Sequence, residues 1–402
     1  MNTSVIHRRS LRALDWLNFF VADLQTGFGP FIAVYLTTQK WTQIDIGYVL
    51  SLGTLVTIIA QVPAGALVDA MPNKRLAAST GLVGLSASAA VMALWPERLP
   101  VILSQAVHAF ATCMLIPAIA AMTLNRVGRG AFAERLGRNA RFAALGAAAG
   151  AAMMGAIGSY VSSSAVFWLA AAFSLPALIA VRLMPPRNLP IDPELAAATG
   201  PPRRKGLGVL LDDRLMAFGV CAVLFHLSNA ALLPLAAAEV TKQAGDHANF
   251  IIAACLVLPQ VVVALLSPWV GRAADRWGRR PVLLLGFAAL PLRGLLFAVA
   301  GSPPLIVATQ VLDGVGGATF GVMVPLIAAD LTRGTGRFNL CMGVIGLAVG
   351  VGATLSTTLG GALASEMGVS SAFLVLAGCG VIATLLVALA MPETRPQMAA
   401  AE

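Results

Sequence analysis

Residues 271–280 read GRAADRWGRR: a glycine, an aspartate four positions on, and arginines at 276, 279 and 280 around a second glycine. A long apolar run, Phe250 to Val270, precedes the stretch and another begins at Pro281. Each is near the ~20 residues a helix needs to cross a bilayer. The decamer therefore reads as a short charged turn between two membrane-length helices, at a membrane surface. Gly271 and Asp275 share a helix face, where the missing side chain lets a neighbouring helix approach the carboxylate. The aspartate can then face that neighbour's N-terminus, whose unpaired amides and dipole attract negative charge. An arginine nearby completes a latch, and a latch made in one state and broken in another is a gate.

The rest of the chain agrees with a membrane setting. Of 402 residues 58% are hydrophobic and 11% charged, too apolar a balance for a soluble domain of this size. Apolar runs mark twelve spans: Leu14–Leu36, Asp45–Val68, Leu76–Leu94, Pro100–Leu124, Phe142–Val161, Ala165–Leu183, then 214–238, 248–270, 281–300, 304–328, 338–363 and 370–391. The net charge of +9 does not call for nucleic acid. Apart from Lys40, Arg98, Lys242 and the intramembrane Arg293, every Lys and Arg falls in a segment on one side, which makes that side and both termini cytoplasmic. Cys113, Cys221, Cys255, Cys341 and Cys379 sit in apolar runs without paired spacing, which argues against a disulfide framework or a zinc site. The basic region His7 to Arg12 leads into an apolar run without a small-residue cleavage site, so the first helix reads as retained.

A proline- and charge-rich stretch, 185–212, separates residues 1–184 from 213–402 and is expected to be a cytoplasmic linker between two six-helix bundles. The halves repeat at near-constant offsets. Gly65 and Asp69 fall on Gly271 and Asp275, Gln105 and His108 on Gln310 and Asp313, and Asn139 and Gly146 on Asn339 and Gly346. The Arg-rich stretch after Leu124 reads as a turn into span 5, and the tail after Pro392 reads as disordered.

The decamer resembles the signature of the major facilitator superfamily, approximately G-x-x-x-D-R-x-G-R-R, carried between spans 2 and 3 and again between spans 8 and 9. Gly271, Asp275, Arg276, Gly278, Arg279 and Arg280 match it. The first copy, GALVDAMPNKR, keeps Gly65 and Asp69 but has Ala70 for the first arginine and Pro72 for the second glycine, with Lys74 and Arg75 at the basic end. The gate at 271–280 is thus expected to be complete and that at 65–75 weakened. Span 5 has Gly146, Gly150, Gly155 and Gly158, as in the superfamily's drug antiporters, without their Gly-Pro pair. The resemblance implies an all-α fold of twelve transmembrane helices in two pseudo-symmetric bundles, with spans 1, 4, 7 and 10 lining a central cavity.

Asp23, His108, His226 and Asp313 come one from each of those four spans. At 1.5 Å per residue they lie ~12–14 Å deep, in one layer. Gln105 and His108, His226 and Asn229, and Gln310 and Asp313 are each three apart, so each pair shares a face. On span 1, Trp16, Phe20, Asp23, Gly27 and Phe31 make one stripe, and Asp15 sits near the cytoplasmic edge as a solvated helix-start charge. Arg293 either pairs with an acid or snorkels outward. Carboxyls at such depth are expected to exchange protons as water access alternates, so Asp23 and Asp313 are the expected proton-coupling residues.

The function expected is proton-coupled transport of a small amphipathic or cationic molecule; an enzyme is not expected, since no nucleophile, phosphate loop or paired acid and base has usable spacing. Efflux across a bacterial inner membrane by a monomer is the expectation, with protons, substrate and lipid as partners and no cofactor. Two alternatives are a divalent-metal or metal-chelate carrier, using the two aspartates and two histidines, and a non-transporting receptor on the same scaffold.

Overall fold

The computed structural model describes residues 3–26, 30–184, 212–244, 248–300 and 302–395. Among them the regular structure is helical: α1 (Thr3–Thr26), α2 (Pro30–Thr38), α3 (Gln43–Ala70), α4 (Lys74–Leu94), α5 (Arg98–Val127), α6 (Phe132–Tyr160) and α7 (Ala165–Leu183) come first. Then follow α8 (Asp213–Asn229), α9 (Leu232–Ala244), α10 (Ala248–Trp277), α11 (Arg279–Val299), α12 (Pro303–Leu331), α13 (Phe338–Met367) and α14 (Val369–Leu389). Eleven stretches of the described residues are long and apolar enough to cross a membrane. The place of the expected first span is taken by α1 and α2, on either side of residues 27–29, which lie outside the described residues. So do 185–211, nearly all of the expected linker.

Local chemistry accounts for the helix ends. Thr42 caps α3, its Oγ1 accepting from the amide of Asp45 at 3.1 Å and donating back to that carboxylate at 2.8 Å. Asp212 caps α8 through the amides of Arg214 and Leu215. The expected seventh span is interrupted at Ala230–Ala231, between α8 and α9. Pro234 explains this, because it brings no amide to the carbonyl four residues before it. The amide of Ala231 donates instead to Ser356 Oγ, 3.0 Å away.

Three sequence expectations change. The stretch 271–280 is not a turn: α10 continues through Trp277, α11 starts at Arg279, and Gly278 alone, at φ 98°, makes the corner. Ala and Arg are good helix formers, and only the glycine breaks the run. The Arg-rich stretch is likewise mostly helix, since α6 begins at Phe132, ten residues before the expected start. The tail is ordered as far as Arg395, and 396–402 lie outside the described residues.

The chain forms two compact units, Met1–Phe132 with Arg138–Arg204 and Gly334–Gly343, and Ala133–Gly137 with Lys205–Arg333 and Val344–Glu402. In the first, α4 packs on α5 and α7, α3 on α5, and α1 on α7. Its core includes Leu14, Leu17, Ile32, Leu82, Leu85 and Leu115. Small side chains and interhelical hydrogen bonds do the joining, as apolar burial alone does not drive helices together in lipid. Ser104 Oγ of α5 donates to the Ser88 carbonyl of α4 at 2.7 Å. In the second unit α10 packs on α12, and α11 on α12 and α14. There Ser228 Oγ of α8 donates to the Leu376 carbonyl of α14 at 2.8 Å.

Candidate functional site

The two copies of the glycine–aspartate pair behave differently, and not as their sequences suggest. In the first unit a Cβ at Gly65 would overlap the carbonyl oxygen of Asn339, so α3 lies against the first turn of α13. Asp69 is 2% exposed there. Its Oδ1 accepts from the Asn339 amide (3.0 Å) and Nδ2 (2.7 Å), and its Oδ2 from the Leu340 amide at 2.8 Å. This is the carboxylate-on-helix-start contact expected of the motif. Lys74 completes it by closing the end of α3, its Nζ donating to the carbonyls of Val68 (2.7 Å), Asp69 (3.1 Å) and Met71 (2.8 Å). The weakened copy therefore makes the full latch.

In the second unit Gly271 lies equally close to the Ala133 carbonyl, at the start of α6. Asp275 does not cap that helix; it pairs with Arg279 Nη1 at 3.3 Å, its side chain 42% exposed. The difference lies in the partner helix: α6 has its own acid, Glu134, in its first turn, whereas α13 has none there. A helix start that already holds a negative charge has less to offer a second. Arg279 is buried and spans Asp330 Oδ2 (2.9 Å) and the Ala274 carbonyl (2.9 Å). Arg276 is exposed, and its carbonyl accepts from Arg395 at 3.1 Å. Glu393 in the tail accepts from the amides of Arg279 (2.8 Å) and Arg280 (3.1 Å), capping α11 where Gly278 supplies no side chain.

The expected polar layer divides between the units. In the first, α5 places Gln105, buried, and His108, half-buried, one turn apart, with Gln105 against Gly53 of α3. Phe20 stacks on Trp16 at 5.9 Å and meets Phe173 at 6.1 Å, so part of the span 1 stripe packs within the unit. Asp23 lies on α1, its side chain outside the described residues. Asp15 is not solvated: it is 2% exposed and takes Arg138 Nε at 2.9 Å and Nη2 at 2.7 Å. Proximity to the cytoplasmic edge suggested water, but the fork from α6 replaces it.

In the second unit, α8, α11 and α12 bring Asn229, Arg293, Gln310 and Asp313 together. Arg293 is 2% exposed. Its Nη1 donates to Asn229 Oδ1 (2.6 Å) and Asp313 Oδ1 (2.7 Å), and its Nη2 to Gln310 Oε1 at 2.8 Å. The guanidinium also lies 5.3 Å from the Phe297 ring centre, a cation–π contact. Of the two sequence options for Arg293, pairing with an acid holds. His226 packs edge-on to Phe225 (5.3 Å) and Phe320 (5.0 Å). A buried charge in an apolar setting needs a partner, and the acid three residues beyond Gln310 was the legible one.

Comparison with known proteins decides the family. The family model described as Major Facilitator Superfamily matches residues 16–240 and 218–402. The chain belongs to the major facilitator superfamily. It is 38% identical over 394 residues to an uncharacterized MFS-type transporter of Mycobacterium tuberculosis, covering 96% of this chain and 94% of that one. It is 32% identical over 140 residues to the class B tetracycline resistance protein of Escherichia coli, covering 35% and 34%. The solved fucose:proton symporter of E. coli shares the fold at TM-score 0.74 and 16% identity, over 94% of this chain and 97% of that one.

As a superfamily member the chain is a multi-pass membrane protein of an all-α transporter fold. The arrangement in the second unit can do two things chemically: hold a charge pair in an apolar interior, and present hydrogen-bonding groups at fixed angles. Among the described residues no three His, Cys, Asp or Glu side chains gather where they could hold a metal ion. The five cysteines are unpaired as disulfides, four of them buried.

Proposed function

We propose that the protein is a proton-coupled exporter of the bacterial inner membrane that moves a small amphipathic molecule by alternating access, as a monomer with both termini cytoplasmic. The observation that carries this reading is the group formed by Asn229, Arg293, Gln310 and Asp313, with a 2.7 Å ion pair inside apolar helices. Charges at such depth are costly, and transporters keep them where an ion or substrate must pass. The direction rests on the regional similarity to a protein named for tetracycline resistance. In this reading Asp23 and Asp313 exchange protons, while Phe20, Gln105, His108, His226, Asn229 and Gln310 meet the cargo. Gly65 with Asp69, and Gly271 with Asp275, Arg276 and Arg279, form the gates, whose helix-start contacts change between states.

The test is flux by the purified chain in liposomes across a compound panel that includes tetracycline, under an imposed pH gradient. Expected is gradient-driven movement of at least one compound, lost with a protonophore. Movement that ignores the gradient would end the proton-coupled reading.

A further inference from the structure

Arg293 belongs to no motif, and the proposed cycle gives it no task of its own. Its surroundings do. The guanidinium is sealed, while the Asp313 side chain in front of it is 26% exposed. Oδ1 of Asp313 takes both Arg293 Nη1 (2.7 Å) and Asn229 Nδ2 (3.3 Å), and no hydrogen bond among the described residues falls on Oδ2. Phe225 and Phe320 stack at 4.7 Å beside His226, whose buried Nε2 has no hydrogen-bond partner among the described residues. The open face of this group therefore offers one carboxylate oxygen, with aromatic rings nearby and a fixed cation behind.

We propose that Arg293 is a positioning and specificity residue: it holds Asn229, Gln310 and Asp313 in one orientation and offsets the charge of Asp313, so the second unit selects neutral molecules bearing hydroxyl or N–H donors over permanent cations. This rests on the transport reading above and narrows its cargo. A permanent cation at Oδ2 is attracted by the carboxylate but repelled by the guanidinium just beyond it, and in an apolar interior the repulsion is little screened. A neutral donor carries no such penalty and keeps its bond to a charged acceptor. The task suits arginine, since three acceptors lie on two Nη atoms of one planar fork, a geometry an ammonium does not reproduce.

The test is equilibrium binding of tetraphenylphosphonium, a permanent cation without donors, to the purified full chain. In the double variant R293Q/D313N both charges are gone and no charge is left buried alone, so folding is spared. If the charges offset one another, its affinity stays within about threefold of wild type; a loss beyond about tenfold means the carboxylate dominates and overturns the proposal. R293Q alone leaves Asp313 uncompensated and is expected to bind the cation about tenfold more tightly than wild type, with R293K returning affinity to within about threefold. Affinity in R293Q no higher than wild type, or undiminished in R293K, also overturns it. Should R293Q not fold, the double variant decides alone. These arms need no flux: a panel in which nothing is transported would end the proposed function and leave this result standing on its own.

Discussion

Asp69 and Asp275 carry the same side chain at equivalent places, yet one receives three hydrogen bonds from the start of α13 and the other turns to Arg279. The outcome is set by whether the receiving helix already holds an acid. Removing the carboxylate in Asp69→Ala is expected to cost about 1–2 kcal/mol at that helix end. Cys341, two residues past Asn339 and buried, reports it: in a background with the other cysteines replaced, thiol labelling of Cys341 should rise about tenfold. Unchanged labelling would mean α13 is held by other contacts. For the buried pair, Arg293→Gln is expected to destabilise the protein by about 3–5 kcal/mol and R293Q/D313N by much less, which unfolding of the purified variants would measure. The four-residue glycine–aspartate spacing was legible in the sequence. Which copy latches was not, because that depends on Glu134, more than sixty residues away from one aspartate and more than a hundred from the other. Asp15 was misread for a similar reason: its partner Arg138 lies 123 residues on.

At the scale of an element, the corner between α10 and α11 is the instructive case. The arginines of 271–280 suggested an extended loop, but charge alone does not break a helix, and the corner shrinks to Gly278. There the backbone needs φ 98°, and a side chain would also press on the Glu393 carboxylate. Gly278→Ala is therefore expected to cost about 1–2 kcal/mol and to loosen the tail. Glu393→Gln keeps the size but weakens the cap, so amide exchange at Arg279 and Arg280 should quicken by several-fold while that at the middle of α11 holds. Equal exchange in variant and wild type would show that the tail merely rests on the corner. The tail escaped the sequence reading because the three residues from Glu393 to Arg395, after a proline, carry no periodicity; only the unfilled cap of α11 asked for an acid.

For the whole molecule, the spans and the family were legible because bilayer thickness sets helix length and lipid tolerates little charge. Apolar runs and a matched signature were enough. What stayed hidden is how side chains from different spans combine, as with Arg293, placed correctly in a membrane but without its three acceptors. If proton movement drives export, flux should rise when the far side is made more acidic than the near side and fall to background when the gradient is removed. Asp23→Asn should abolish that dependence while sparing gradient-free exchange of labelled for unlabelled compound, which counterflow in liposomes would read. Full proton-driven flux in that variant would remove Asp23 from the mechanism.

The interruption at Ala230 has an effect on charge that side chains alone do not reveal. Because α8 stops at Asn229, the carbonyl end of its dipole, worth roughly half an elementary charge, lies at the residue that Arg293 touches. Backbone carbonyls cannot be titrated. Whatever proton or cargo occupies the carboxylate in front, the guanidinium keeps a permanent counter-pole supplied by the broken helix itself.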